Sequence, residues 1–254
     1  MKKKVIITAG PTNERIDSVM KITNMSTGAL GSVIAETFLE NKGDEIEKIF
    51  FISTKMSYKP QVKSEKLEYV TIESTQDLLD ALKKIFDENE IDIIIHSAAV
   101  GDYTGKYVIR AENVVDEIWD TLQSNPAKEI TKEMLMSIFE NPRSITDNSG
   151  KISSYEPHLM TMLTLTPKVI GMFHNFAPNA KLVGFKLLDG VSKERLLEVA
   201  KNLRQKNNAN YIVANDLSKI KDGKHWAMII GEEGIICECQ TKKDIAKAIE
   251  ELLF

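Results

Sequence analysis

Short runs of β-branched residues alternate with helical patterns along the first half of the chain. Val5-Ile6-Ile7-Thr8 carries no charge and predicts a buried strand. From Ala29 the apolar positions Leu30, Val33, Ile34, Phe38 and Leu39 recur at helical spacing, and Gly43 is placed as a C-terminal stop. Ile49-Phe50-Phe51-Ile52 and Tyr69-Val70-Thr71-Ile72 predict two further strands. Thr75 then stands where a cap belongs for a helix through Leu78, Leu79, Leu82, Ile85 and Phe86. Ile91-Asp92-Ile93-Ile94-Ile95-His96 predicts a fourth strand, apolar enough to be buried on both faces. Strand and helix in alternation imply parallel pairing with right-handed crossovers. The expected fold class is α/β, a doubly wound, mostly parallel, Rossmann-like sheet.

The pattern lapses after residue 103. Residues 104 to about 165 contain Pro126, Pro142 and Pro157, the polar stretch Thr146-Asp147-Asn148-Ser149-Gly150, and four of the ten methionines. Ile130 to Phe139 predicts a helix, and the rest reads as an excursion from the sheet, either a flap or a subunit contact. Regular patterning then resumes. Thr166-Pro167 reads as a helix start leading into Val169, Ile170, Phe173 and Phe176. Lys181 to Phe185 predicts a strand, Ser192 opens a helix through Leu203, and Tyr211 to Ala214 predicts the next strand. Ala227–Ile230 and Gly234–Glu238 form a hairpin, and Thr241 with Asp244 makes a capping box for the last helix. With no internal repeat and no linker, residues 1–254 read as a single nucleotide-binding domain with an excursion at about 104–165.

Composition narrows the class. Hydrophobic residues make up 43% and charged residues 28%, with a net charge of −4. That balance suits a packed globular chain and favours neither nucleic acid nor an anionic membrane as partner. No apolar run approaches the roughly 18 residues of a membrane span. The opening Met1-Lys2-Lys3-Lys4 is followed by only Val5-Ile6-Ile7 before Thr8-Ala9-Gly10-Pro11, which leaves no apolar core for export. Cys237 and Cys239 are the two cysteines. A disulfide between neighbours two apart on a strand would be strained, and no other thiol or histidine cluster completes a metal site. No metal ligands are expected, and the thiols are expected reduced, in a cytoplasmic protein.

Ligands of a parallel sheet bind where the strands end and the connections splay apart. Polar clusters fall repeatedly at such places. The first is Thr8-Ala9-Gly10-Pro11-Thr12, followed by Asn24-Met25-Ser26-Thr27-Gly28-Ala29-Leu30-Gly31 at the entry to the first helix. Small residues there admit a ligand to the backbone, and N–H groups of a helix start attract phosphate or carboxylate. An ordinary polar helix cap is the plainer reading. Ser97-Ala98-Ala99-Val100-Gly101-Asp102-Tyr103 follows the most apolar strand and suits a base or ribose edge, or simply a polar strand exit. Further clusters are Lys151 on a hydroxyl-rich loop, Gly184-Phe185-Lys186, and Ala214-Asn215-Asp216. Lys201, Arg204 and Lys206 precede the last of these, as a polyphosphate site or a solvated helix face. Gly28 and Gly31 do not complete G-x-G-x-x-G, no tyrosine has a lysine four residues on, and no G-x-x-x-x-G-K-[ST] loop is present.

Taken together the clusters resemble the phosphopantothenate–cysteine ligases (phosphopantothenoylcysteine synthetases) of coenzyme A biosynthesis. Ile7 to Thr12, Ile16-Asp17 and Ile22 to Gly28 are similar to the opening signature of that family. Ser97 to Tyr103, Lys151 to Ser154, Leu163 to Pro167, Val183 to Lys186 and Ile212 to Asp216 are similar to its later blocks, in order. The chain starts at the ligase signature, so the stand-alone form is expected, without a preceding flavin-dependent decarboxylase domain. The resemblance implies joining of 4′-phosphopantothenate to L-cysteine through an acyl-nucleotidate, with Mg²⁺ and CTP, or ATP in the variant form, as co-substrate. It implies catalytic roles for Asn24, at the acyl intermediate, and Lys151, at the α-phosphate. Gly10, Ser26, Gly28, Ala99, Asp102, Phe185, Lys186, Lys206 and Asn215 are implied to contact the nucleotide, Lys206 only across a one-residue gap. A homodimer and a loop closing over the site are implied as well.

Departures from the family pattern are local. Ser153 and Ser154 replace the later lysines of Lys-x-Lys-Lys, Met20 or Lys21 replaces an arginine, and residues 104–150 are longer than in the bifunctional form. Two other classes compete. A short-chain NAD(P)H reductase lacks its Tyr-x-x-x-Lys and third glycine here, and a non-catalytic nucleotide sensor would require no lysine in a mobile loop.

Overall fold

The computed structural model describes residues 1–125 and 129–254; Pro126 lies outside the described residues. In chain order the elements are β1 (Lys3–Ala9), β2 (Asn13–Arg15), β3 (Lys21–Thr23), α1 (Ala29–Lys42), β4 (Ile46–Thr54), β5 (Leu67–Ile72), α2 (Thr75–Glu88), β6 (Ile93–His96) and β7 (Tyr103–Arg110). They continue with α3 (Ala111–Ser124), α4 (Lys132–Glu140), β8 (Leu159–Leu165), α5 (Phe173–Phe176) and β9 (Lys181–Leu188). The chain closes with α6 (Lys193–Lys206), β10 (Tyr211–Asp216), β11 (Ala227–Ile230), β12 (Ile235–Cys239) and α7 (Lys242–Leu253). Contacts divide the chain into two units, one of residues 1–12, 24–100 and 168–254, the other of residues 13–23 and 101–167.

The first unit is an eight-stranded sheet in the order β12-β11-β10-β9-β6-β1-β4-β5. The six strands from β10 to β5 pair in parallel, and β11 and β12 add antiparallel at one edge. The alternation of side chains explains the two covered faces. Val5, Ile7 and Ala9 of β1 join one core with Ile34 and Phe38 of α1 and Ile245, Ile249 and Leu253 of α7. Ile6 joins the opposite core with Leu78 and Leu82 of α2 and Leu196 and Ala200 of α6. Each fully buried isoleucine or leucine contributes about 1.5–3 kcal/mol of apolar burial, so both faces stay covered. This is the doubly wound sheet expected from the alternation of strand and helix.

The order reverses beside β1. The chain leaves β1 for β4 and β5 on one side, then returns to β6 on the other. The carboxyl ends of β1 and β6 are therefore the switch point, where such sheets take ligands.

The second unit holds two antiparallel ribbons, β2 with β3 and β7 with β8. Tyr107, Ile109, Val114 and Ile138 form its small core with side chains of α3 and α4. Periodicity missed much of this unit. β2 and β3 are three residues each, too short for a pattern, so the opening segment runs strand, hairpin, helix rather than strand, loop, helix. β8, inside the expected excursion, keeps its apolar side chains largely exposed, Leu165 at 66%.

Two expected helix starts differ. The cap of α2 is Ser74, whose hydroxyl accepts from Asp77 N–H while the Asp77 carboxylate accepts from Ser74 N–H. Thr75 is the first helical residue, and its hydroxyl meets that of Thr12 at 3.2 Å. Thr166 caps nothing: its N–H donates to Asp102 O at 3.0 Å and its hydroxyl to Gly101 O. A 3₁₀ turn, Val169–Met172, follows instead and leads into α5.

Candidate functional site

In the first unit the site is built on two glycines brought back to back. Gly10 ends β1 with φ 78°, and Gly28 precedes α1 with φ 79°, values that L side chains rarely adopt. A Cβ on Gly10 would lie 1.9 Å from Ser57 Oγ, and one on Gly28 would lie 3.0 Å from Gly10 N. Only glycine fits either place. Gly31, one turn into α1, approaches so near that its Cβ would come 2.5 Å from Ala9 Cβ. The first turn of α1 is thereby seated directly on the end of β1, with Gly28 at its N-cap and no side-chain cap bond. Thr27 Oγ1 accepts from Ala29 N–H at 3.4 Å, and the N–H groups of a helix start are a natural anion site.

The loop after β6 completes this end of the sheet. Ala99 N–H donates to Gly10 O at 2.9 Å, and Thr12 N–H donates to Ala99 O at 3.3 Å. Asn24 Nδ2 donates to Ala99 O at 3.1 Å and to Val100 O at 3.3 Å. Gly10, Asn24, Gly28 and Ala99, four residues singled out from the sequence, thus meet in one place. Ser26, half-buried, lies on the short segment between Asn24 and Gly28.

A buried histidine supports the loop. Thr8 Oγ1 accepts from Ala98 N–H at 3.2 Å and lies 2.9 Å from His96 Nδ1. The hydroxyl thus links the His96 ring to the Ala98 backbone, buried at the end of β6. Burial holds the His96 pKa down at about 4, so the ring is neutral at physiological pH. Sequence reading passed over His96 because it sat in an apolar strand; its place at the last position of that strand was the available signal.

Farther along the sheet, Phe185 packs into the core shared with α1 and α7, while Lys186, next on β9, points to the other face. Asn215, on β10, is paired with Leu187 of β9 and Ala227 of β11. Its Nδ2 donates to His225 Nε2 at 3.2 Å, and His225 Nδ1 is buried with no hydrogen-bond partner among the described residues. Burial, with the Lys242 charge second, pushes the His225 pKa down to about 4. Lys206 is not brought to these residues. It occupies the last turn of α6, whose C-terminus feeds the start of β10, whereas Asn215 lies toward the end of that strand.

The remaining two residues belong to the second unit. Asp102 is exposed just before β7, with its carbonyl accepting from Thr166 N–H. Lys151 is exposed between α4 and β8. The loop before it is tied to the β2–β3 turn: Ser18 N–H donates to Gly150 O at 3.3 Å and Asn148 Nδ2 to Ile16 O at 2.7 Å. Among the described residues, no three His, Cys, Asp or Glu side chains gather as metal ligands, and no helix is long and apolar enough to cross a membrane.

Comparison with known proteins sets these features in context. Residues 1–134 match the family described as the DNA/pantothenate metabolism flavoprotein C-terminal domain. The coenzyme A biosynthesis bifunctional protein CoaBC of Thermococcus kodakarensis is 27% identical over 231 residues, 91% of this chain and 45% of that protein. Its namesake in Bacillus subtilis is 34% identical over 132 residues, 52% of this chain and 30% of that protein. The chain spans about half the length, or less, of these curated relatives. Among solved structures, the DNA/pantothenate metabolism flavoprotein of Streptococcus pneumoniae superimposes with a TM-score of 0.77 at 33% identity, covering 98% of this chain and 97% of that one.

Proposed function

This chain belongs to the DNA/pantothenate metabolism flavoprotein C-terminal domain family, and from that premise we propose that it is a phosphopantothenate–cysteine ligase acting in coenzyme A biosynthesis. The observation that carries the reading is one of position. The family match, residues 1–134, contains the whole cradle of Gly10, Asn24, Gly28 and Ala99 at the switch point of the sheet.

Two displacements make up the reaction. A carboxylate oxygen of 4′-phosphopantothenate bonds to the α-phosphorus of the nucleoside triphosphate, and the bond to the β-phosphate breaks, releasing pyrophosphate. The amine nitrogen of cysteine then bonds to the acyl carbon, the nucleoside monophosphate leaves with the bridging oxygen, and the amine loses a proton to solvent. The first step gathers negative charge, so it depends on cations and fixed N–H donors. The backbone of Gly28 and the first turn of α1 serve as donors, and Lys151 supplies positive charge at the α-phosphate. Asn24 serves the second step by holding the acyl-nucleotidate. Mg²⁺ bound to the nucleotide would screen its phosphates.

CTP is the co-substrate in this reading, with ATP as the comparison. The working unit is a homodimer, a reading supported by the exposed apolar side chains of β8, Leu159, Leu163 and Leu165. Pyrophosphate release should be followed with 4′-phosphopantothenate and CTP or ATP, with and without cysteine. Release that needs phosphopantothenate, and amide product only when cysteine is present, is the expected result. No release with either nucleotide would sink the ligase reading.

A further inference from the structure

Asp17 is a carboxylate with 3% of its surface exposed, in the turn between β2 and β3. A carboxylate taken out of water needs hydrogen-bond donors, and Asp17 finds them in two places far apart in sequence. Oδ1 accepts from Val19 N–H at 2.7 Å and Met20 N–H at 2.6 Å, which closes its own turn. Oδ2 accepts from Ile152 N–H at 3.0 Å, across 135 residues. Ile152 is itself buried, at 5% exposure, immediately after exposed Lys151. The Met20 and Val19 N–H groups foremost, then Ile152 N–H and the Lys151 charge, hold the Asp17 carboxyl below its ordinary range. A turn cap needs only the first pair of bonds. The third fixes the peptide that carries the lysine.

We infer that Asp17 is the positioning residue for Lys151: its carboxylate clamps the Lys151–Ile152 peptide and so sets where the ammonium group can reach. The clamp presents a flexible side chain from a fixed backbone, which a lysine on an exposed loop otherwise lacks. Its consequence for turnover rests on the ligase reading of Lys151; the clamp does not.

Asp17→Asn keeps the shape but has one acceptor oxygen, so its amide group must face an N–H donor on one side. Two measurements read the result. Trypsin cleavage after Lys151 requires the loop to open, so it reports the clamp without any reaction. We expect cleavage at Lys151–Ile152 to be about tenfold faster in Asp17→Asn than in wild type. Equal cleavage would overturn the clamp. In pyrophosphate release, Asp17→Asn should lower the rate by about 10- to 100-fold with the nucleotide KM held within about twofold. In a Lys151→Ala background the same change should cost less than about twofold, because the group it positions is already gone. The same fractional loss in both backgrounds would overturn the positioning role, since a general loss of structure acts regardless of Lys151. Should Asp17→Asn fail to fold, Asp17→Ser retains an acceptor for its own turn but cannot reach Ile152, and the same results are expected. If no form releases pyrophosphate, the ligase reading has failed and proteolysis alone decides the clamp.

Discussion

Asn24 Nδ2 donates to the carbonyls of Ala99 and Val100, at 3.1 and 3.3 Å, and so ties the approach to α1 onto the loop that follows β6. The two segments lie on either side of the point where the strand order reverses. One exposed side chain thus joins the two connections at the switch point. Asn24→Ala should leave pyrophosphate release in place, slow amide formation, and let the acyl-nucleotidate accumulate. Loss of pyrophosphate release in a folded Asn24→Ala protein would move Asn24 to the first step. Asn24→Asp sets a carboxylate against two carbonyl oxygens and should destabilise the fold by about 1–3 kcal/mol, measurable by urea unfolding.

Gly10→Ala should be among the most damaging single-methyl additions. It forces an L side chain to φ 78° and places Cβ 1.9 Å from Ser57 Oγ. Ser57 would have to abandon its 2.8 Å bond with Thr54 Oγ1. Backbone strain alone costs about 1–3 kcal/mol, so a fall in stability of at least that size is expected. A thermal midpoint unchanged from wild type would show that Gly10 does not hold this positive φ against Ser57.

Lys151→Ala should reduce pyrophosphate release by about 10²-fold, the usual scale for removing a group that stabilises transition-state charge. Exposure of Lys151 predicts little change in unfolding free energy. Single-turnover kinetics separate the two effects, and an unchanged first step would remove Lys151 from the mechanism.

His96 predicts a pH dependence of stability. Its folded pKa of about 4 lies below the ordinary 6.5. Above pH 6.5 the ring is neutral in both states, and its contribution to stability is complete. As pH falls from 6.5 to 4 the unfolded chain takes up a proton that the folded one resists, so stability is lost through that window. The loss attributable to one such ring reaches about 3 kcal/mol. His225 shares the window, with a folded pKa also near 4. Denaturant unfolding at pH 7 and pH 5 should show a smaller loss for His96→Gln than for wild type, and parallel losses would exclude the ring as the cause.

The strands of the first unit were legible because a parallel sheet buried on both faces imposes runs such as Ile93-Ile94-Ile95 that little else explains. Gly10, Gly28 and Asn24 stood out as small or amide residues where chain direction changes, and the family resemblance supplied their chemistry. The expected cap at Thr75 failed by one position, since Ser74 and Thr75 are equally good caps by type and only the reciprocal bonds with Asp77 choose between them. Lys206 shows the same limit: its neighbours along the chain suggested a strand end, but the direction of α6 carries it to the other end of β10. β2, β3 and β8 left no periodic trace, being too short or too exposed for one face to demand apolar residues.

Residue types and their spacing therefore determined the sheet, its two helical layers and the small-residue turns at its carboxyl edge, because burial and positive φ act locally on composition. Tertiary structure alone decided which of those turns meet. The contact of Gly10 with Gly28, the bonds of Asn24 to Ala99 and Val100, and the reach of Asp17 to Ile152 all join residues whose separation in sequence conceals them, since hydrogen bonding and close packing depend on distance in space.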